Sequence, residues 1–160
     1  MDDFAESFAM WGNAEVTRFI GGKPSTSEEA WARLLRHIGH WRAMGYGYWV
    51  VETLDQGLYV GEVGFGNFRR EMVPPLGDAP EAGWVLVPRA HGKGYAFEAA
   101  SAALAWRDTA LPSGETVCII NPEHTVSLRL ADKLGFRNAV NGVYHGNTLR
   151  ILRREARQGK

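Results

Sequence analysis

Apolar positions in this chain fall into helical stripes and short runs, separated by breaks rich in glycine and proline. Phe4, Phe8 and Trp11 recur at helical spacing across residues 2–11, and Gly12-Asn13 stops the pattern. Val16, Phe19 and Ile20 continue apolar until Gly21-Gly22-Lys23-Pro24 breaks the chain. Ser25-Thr26-Ser27-Glu28 reads as a capping box that opens a long helix. Its stripe is Trp31, Leu34, Leu35, Ile38, Trp41 and Met44, and Gly45-Tyr46-Gly47 ends it. Residues 48–54, a turn at Asp55-Gln56-Gly57, and residues 58–65 predict a β-hairpin. Gly61, Gly64 and Gly66 thin its second strand, which suits a bulge or the close approach of a backbone or ligand.

Residues 67–80, with Pro74-Pro75, Gly77-Asp78 and Pro80, predict the longest irregular stretch, either a substrate-side lid or a connector. Arg69-Arg70 within it reads as a solvated pair. An apolar run at 84–87 then ends at Pro88, a basic glycine-containing turn covers 89–94, and an alanine-rich helical segment runs from 95 to about 106. Read as strand, tight loop and helix, this order aims backbone N–H groups and the positive end of a helix dipole at one point. That suits an anion, most naturally phosphate. An ordinary connector satisfies Gly92-x-Gly94 equally well, but the context of Arg-x-x-Gly-x-Gly between strand and helix narrows the choice. The third glycine of a dinucleotide fingerprint is missing, and no Gly-Lys-Ser/Thr closes a Walker A loop.

The turn at 111–114 leads into a strand over 115–121 with apolar Val117, Ile119 and Ile120. A second helix follows over 124–134, with Leu128, Leu130, Ala131 and Leu134 on its apolar face and Gly135 as its C-cap. Residues 136–154 hold two short strands, turning at Asn141-Gly142 or at His145-Gly146-Asn147, and the charged tail 153–160 is expected to fray. The whole order predicts one mixed α/β domain, residues 1–160, around a single sheet.

Composition removes several classes of function. A chain of 160 residues with 45% hydrophobic and 22% charged side chains is ordinary globular protein. Eighteen basic and eighteen acidic residues cancel, so no global field argues for nucleic acid or an anionic membrane as partner. The single cysteine, Cys118, excludes an internal disulfide framework and reads as a buried small hydrophobe. An acidic N-terminus and the lack of a membrane-length apolar run lead to the expectation of a cytoplasmic protein. His37 and His40 are three apart on the long helix, but no third ligand lies near in sequence. They read as surface or rim histidines, and no metal is expected.

Two stretches together carry a family resemblance. One is Glu81-Ala-Gly-Trp-Val-Leu-Val-Pro-Arg-Ala-His-Gly-Lys-Gly-Tyr-Ala-Phe-Glu-Ala99, and the other is Asn121-Pro-Glu-His-Thr-Val-Ser-Leu-Arg-Leu-Ala-Asp-Lys-Leu-Gly-Phe136. The first resembles the acetyl-CoA strand, Arg/Gln-x-x-Gly-x-Gly/Ala loop and following helix of the GNAT acetyltransferase superfamily. The second is similar to that superfamily's Asn-Pro-x-Asn-x-x-Ser…Leu-Gly-Phe segment. Gly45-Tyr-Gly-Tyr-Trp49 and Val60-Gly-Glu-Val-Gly64 add to the match. Within the superfamily the chain resembles the branch of the Rim-type ribosomal-protein-alanine N-acetyltransferases.

The resemblance implies a central twisted, mostly antiparallel sheet, splayed between parallel strands 84–87 and 116–121 and flanked by about four helices. It implies acetyl-CoA as cosubstrate, with pantetheine against the backbone of Val85, Leu86 and Val87 and with Asn121 nearby. The pyrophosphate would lie on Arg89, Gly92, Lys93, Gly94, Tyr95 and Ala96. A primary amine, on a small molecule or a protein N-terminus, would attack the thioester directly while the Leu86 N–H stabilises the oxyanion. Glu81 and Glu62 are the candidate bases, and a strand-end salt bridge is the plainer role for either. Ala131 stands where many members carry a proton-donating tyrosine. The branch's substitute nominates Ser127 as donor to the thiolate, and local bonding in the first helical turn is its plainer role. Glu98 matches the family's helix glutamate, with a structural role.

Two departures stand out. His124 replaces an asparagine, and the family's first strand is missing ahead of the first helix. That implies either a natural start farther upstream or a partner over the sheet edge, and the resemblance also allows a homodimer. Three readings compete: an acetyl-CoA-dependent N-acetyltransferase, a catalytically inactive CoA-binding regulatory module, and an unrelated nucleotide-phosphate binder. The two ordered stretches favour the first.

Overall fold

The structure, a computed structural model, describes residues 3–112 and 114–156. Asp2 of the first predicted helix, Ser113 of the predicted turn and tail residues 157–160 lie outside the described residues. Helices α1 (Phe4–Trp11) and α2 (Ala14–Thr17) precede the long α3 (Ser27–Met44). Strands β1 (Tyr48–Glu52) and β2 (Tyr59–Gly66) form the predicted hairpin. Then come β3 (Glu81–Leu86), a 3-10 turn (Pro88–Ala90), α4 (Tyr95–Ala110), β4 (Glu115–Ile120), α5 (Thr125–Lys133), β5 (Arg137–Tyr144) and β6 (Asn147–Glu155).

The six strands make one sheet in the order β1-β2-β3-β4-β6-β5. Only β3 and β4 are parallel neighbours, so the sheet is mixed and mostly antiparallel, as expected. Among the described residues, no strand pairs with the outer side of β1. The two faces are unlike. Val63, Phe65, Ala82 and Trp84 meet Ala100, Ala103 and Leu104 of α4, an apolar layer. The other face carries Tyr48, Glu62, Glu81 and Gly83 toward α1 and α3. Burial of the first face supplies the core, at about 25 cal/mol per Å² of apolar surface removed from water.

Helix α3 departs from its predicted packing. Trp31, Leu35, Ile38 and Met44 of the apolar stripe are exposed, while Ala30, His37 and His40 face inward. The reason lies beneath: the sheet face under α3 is polar, and the histidines match it where leucines would strand buried groups. His37 stacks on Tyr48 with 4.4 Å between ring centroids. His40 Nδ1 lies 2.8 Å from the Arg36 carbonyl oxygen, and the Asn67 N–H donates to His40 Nε2 at 3.1 Å. The predicted surface histidines are therefore buried. The capping box is real but sits one residue later, between Thr26 and Glu29.

The irregular stretch 67–80 is pinned. Val73 and Val143 exchange backbone hydrogen bonds of 3.1 and 2.8 Å, while Met72 and Leu76 are buried against Val117 and Ile151. Arg70, expected to be solvated, forms a two-pronged ion pair with Glu81. The closing hairpin turns at His145-Gly146, whose φ values of 48° and 77° suit a two-residue turn. The glycines of β2 make room for close neighbours. A side chain at Gly61 would strike the Val85 carbonyl, and one at Gly64 the Gly47–Tyr48 backbone.

Candidate active site

Strands β3 and β4 meet at one register point, Glu81↔Val117, reinforced by the Val117 N–H donating to the Pro80 carbonyl at 3.0 Å. Beyond it they diverge into an open V. The β2 pairing fixes which backbone groups line it. The Val87 N–H donates to the Val60 carbonyl at 3.0 Å, and Glu62 pairs with Val85. Antiparallel alternation then turns the polar groups of Val85 and Val87 toward β2 and those of Trp84 and Leu86 toward the V. His91 Nε2 lies 3.0 Å from the Leu86 carbonyl oxygen, on that open side.

The turn into α4 follows. Gly92 and Gly94 have φ of 73° and 87°, a region costly for any residue with a β-carbon. Helix α4 begins at Tyr95 with Gly94 as N-cap and no side-chain cap. Among the described residues, no backbone carbonyl accepts from the N–H groups of Gly92 through Ala96. Five backbone donors at a helix N-terminus are thus left for a ligand. Lys93 is exposed, whereas Tyr95 and Ala96 are half-buried. Arg89 turns away: its Nη2 donates to the Tyr59 carbonyl at 2.9 Å, and Glu6 lies 3.8 Å from it.

Across the V, α5 brings Ser127. Its Oγ is buried and accepts from Trp84 Nε1 at 2.8 Å. That bond spans the two arms and uses one lone pair, leaving the O–H able to donate. Ser127 does not cap its helix; His124 is the N-cap residue. Asn121 opens the turn into α5, its Oδ1 accepting from the Glu123 N–H at 2.9 Å.

The two nominated glutamates lie on the opposite face of the sheet from Ser127 and have different surroundings. Glu81 is buried at the vertex, and Arg70 Nε and Nη2 reach its two oxygens at 2.7 and 2.8 Å. Glu62 is 3% exposed and accepts from Ser7 Oγ (2.5 Å), Tyr59 Oη (3.0 Å) and Trp11 Nε1 (3.1 Å). Burial, with Glu62 beside it, pushes the Tyr59 hydroxyl well above its ordinary pKa, so it remains a donor. His37 Nδ1 is 3.7 Å from Glu62, but burial and then Arg33 lower its pKa to about 3, so the imidazole is neutral.

A family profile described as "Acetyltransferase (GNAT) domain" matches residues 1–137. The chain belongs to the GNAT acetyltransferase family. A Bordetella pertussis protein assigned to that family has a solved structure with a TM-score of 0.83 and 32% identity, covering 96% of this chain and 90% of that one. A Salmonella typhimurium protein assigned as an acetyltransferase, solved with its cofactor acetyl-CoA, superposes with a TM-score of 0.74 at 20% identity, over 99% of this chain and 91% of that one. The uncharacterised YkkB of Bacillus subtilis is 31% identical over 93 residues, which is 57% of this chain and 52% of YkkB. The chain's match thus spans about half the length of that curated relative.

Within this GNAT domain the sequence pattern marks His124 only as a replaced asparagine and assigns no role at these positions to His91, Ser7 or Trp11. His91, next to the glycine turn, reaches Leu86, and His124 opposite is stacked on Phe19 at 4.6 Å between centroids. Burial, with His91 nearby, lowers the pKa of His124. Ser7 and Trp11 from α1 complete the Glu62 site across more than fifty residues of sequence, beyond any local pattern. Cys118 is buried, and that burial drives its thiol pKa far up, an inert environment. Among the described residues, no group of three His, Cys, Asp or Glu side chains is set to hold a metal, and no helix is long and apolar enough to cross a membrane.

Proposed function

We propose that this GNAT domain is an acetyl-CoA-dependent N-acetyltransferase, with the Rim-type use of a serine, acting on a primary amine in a ternary complex. The observation that carries the reading is the V between β3 and β4 ending at the uncapped turn 92–96. A diphosphate suits that turn: beyond the adjoining backbone, no atom of the described residues lies within 4 Å of where a Cβ would stand on Gly92 or Gly94, and the donors beside it are unused. The Leu86 N–H, turned toward the V, suits a pantetheine or thioester carbonyl. Acetyl-CoA, when bound, supplies the activated acetyl group.

Proton handling divides between the faces. Ser127 holds an O–H near the V, polarised by the Trp84 N–H that it accepts, and donates to the leaving sulfur. Glu62 holds the amine or takes its proton through water: Glu81 is neutralised by the charged Arg70, whereas the donors on Glu62 are neutral. Three neutral donors, Ser7, Tyr59 and Trp11, fix the Glu62 carboxylate in place for an ammonium. The test is release of free thiol from acetyl-CoA with a panel of amino acids, polyamines, aminoglycosides and peptide N-termini. Amine-dependent release that follows saturation supports the reading. Acetyl-CoA binding with no turnover on any amine would leave a CoA-binding module instead.

A further inference from the structure

The polar sheet face under α3 is floored by glycine. A side chain at Gly66 would strike the Phe68 ring, and one at Gly83 would strike the Tyr48 hydroxyl. Tyr48 pairs with Gly64, and Gly64 with Gly83, so the tyrosine crosses β2 to reach β3. Antiparallel pairing puts Glu62 to one side of that row and Glu81 to the other. Among the described residues, the Tyr48 hydroxyl has no hydrogen-bond partner. Burial, then Glu81, pushes its pKa well above the ordinary value, so it stays a donor.

Helix α3 adds positive charge above this floor. Arg33 and Arg36 stand one turn ahead of the inward His37 and His40. The Arg33 guanidinium carbon lies 3.6 Å from the centroid of Trp11, the indole that donates to Glu62. That of Arg36 lies 5.3 Å from the Phe68 centroid, which Arg70 also approaches, at 4.8 Å. Arg70 is committed to Glu81, but among the described residues Arg33 and Arg36 form no ion pair or side-chain hydrogen bond. Burial, then the Arg36 charge, lowers the Arg33 pKa, so two unmatched cations stand close together. Of the unpartnered polar atoms on Arg33 and Tyr48, only Arg33 Nε is sealed from solvent. Arg33 Nη1 and Nη2, the exposed Arg36 and the Tyr48 hydroxyl are therefore within reach of a ligand.

Three arginines thus stand against two carboxylates on this face, and Glu62 is the carboxylate proposed to meet the amine. A polyamine would add like charge here, whereas an amine with a carboxylate of its own is matched at both ends. We infer that the acceptor is an amino acid, its ammonium on Glu62 and its carboxylate on Arg33 and Arg36 with the Tyr48 hydroxyl. This inference rests on the N-acetyltransferase reading and narrows its acceptor to one class.

Binding is measured apart from turnover. L-alanine, L-leucine and L-glutamate, each beside its α-amide, and spermidine are titrated calorimetrically into the full chain saturated with CoA, which has no acetyl group to give. At least one amino acid is expected to bind about tenfold more tightly than its amide, and more tightly than spermidine. Arg33→Gln should shrink the acid-over-amide ratio about tenfold, and Arg36→Gln about threefold. A purely structural fault would weaken acid and amide alike and leave the ratio intact. Arg36 is exposed, so its variant carries the test if Arg33→Gln fails to fold. Amino acids no tighter than their amides, tighter binding of spermidine, or a ratio unchanged in both variants would overturn the inference. Thiol release from acetyl-CoA, run in parallel, keeps the two readings apart. Turnover of spermidine or the amides with no preference for the acids overturns this inference alone. No turnover on any amine overturns the N-acetyltransferase reading and the acceptor role with it.

Discussion

Glu62 and Glu81 sit on neighbouring strands, both buried and on one face, yet chemistry separates them. Glu81 faces a cation, and half-buried Arg70 holds it at two points. Removing one partner of such a pair strands a charge, so Arg70→Ala should lower unfolding free energy by about 3 kcal/mol in denaturant melts, with Arg70→Lys restoring part of it. Glu62 accepts from neutral donors, Ser7, Tyr59 and Trp11, and is the carboxylate proposed to meet an incoming cation. Glu62→Gln is expected to cut kcat/KM for the amine by about a hundredfold while acetyl-CoA affinity stays within about twofold. Ser127→Ala should lower kcat by a similar hundredfold, read by thiol release, again with acetyl-CoA affinity kept. The serine was legible through its motif. Two of the glutamate's three donors, Ser7 and Trp11, were not, because α1 contributes them from far upstream in the sequence.

His37 adds a pH dependence at the same scale. Its pKa falls from 6.5 to about 3 on folding, so below about pH 6.5 the unfolded chain binds the extra proton first. Stability from this group is therefore present near neutrality and lost as pH falls toward 3, at up to about 1.4 kcal/mol per pH unit. Between pH 7 and pH 5 the native chain should lose roughly 1–2 kcal/mol more than His37→Phe, which keeps the ring stack on Tyr48. Equal losses in chemical denaturation would remove His37 from that account.

At the scale of elements, most boundaries were readable from periodicity and punctuation. The β1–β2 hairpin, the strand–turn–helix at 81–110 and the strand–helix pair at 115–133 fall within a few residues of expectation. What failed were side choices. The α3 stripe was assigned by hydropathy alone, but which stripe a helix buries depends on the sheet face below, and that face is polar. The segment 67–80 looked free because its pairing, Val73 with Val143, joins residues seventy apart. The glycine turn was legible because its geometry is local. Gly94→Ala should cost about 1 kcal/mol of stability from its positive φ alone, and should weaken acetyl-CoA binding by more than about tenfold. Differential melts with and without acetyl-CoA separate the two effects.

For the whole molecule, the sheet consists of two unlike halves joined at one register point. The hairpin β1–β2 with β3 forms one arm, and β4, β6 and β5 form the other, with Glu81↔Val117 between them. A cosubstrate that bridges the arms should stabilise the fold as a unit, by about 2.7 kcal/mol at a hundred times its Kd. The net charge of zero hides this organisation, since the Arg70–Glu81 and Arg154–Asp108 pairs both lie at the vertex end of the V. The decisive measurement is calorimetric titration of the chain with acetyl-CoA, beside a Gly92→Val/Gly94→Val variant. Micromolar-range, one-to-one binding is expected, which the variant loses while remaining folded. Undiminished binding by the variant, or none by the native chain, would contradict the assignment of the turn and of the V.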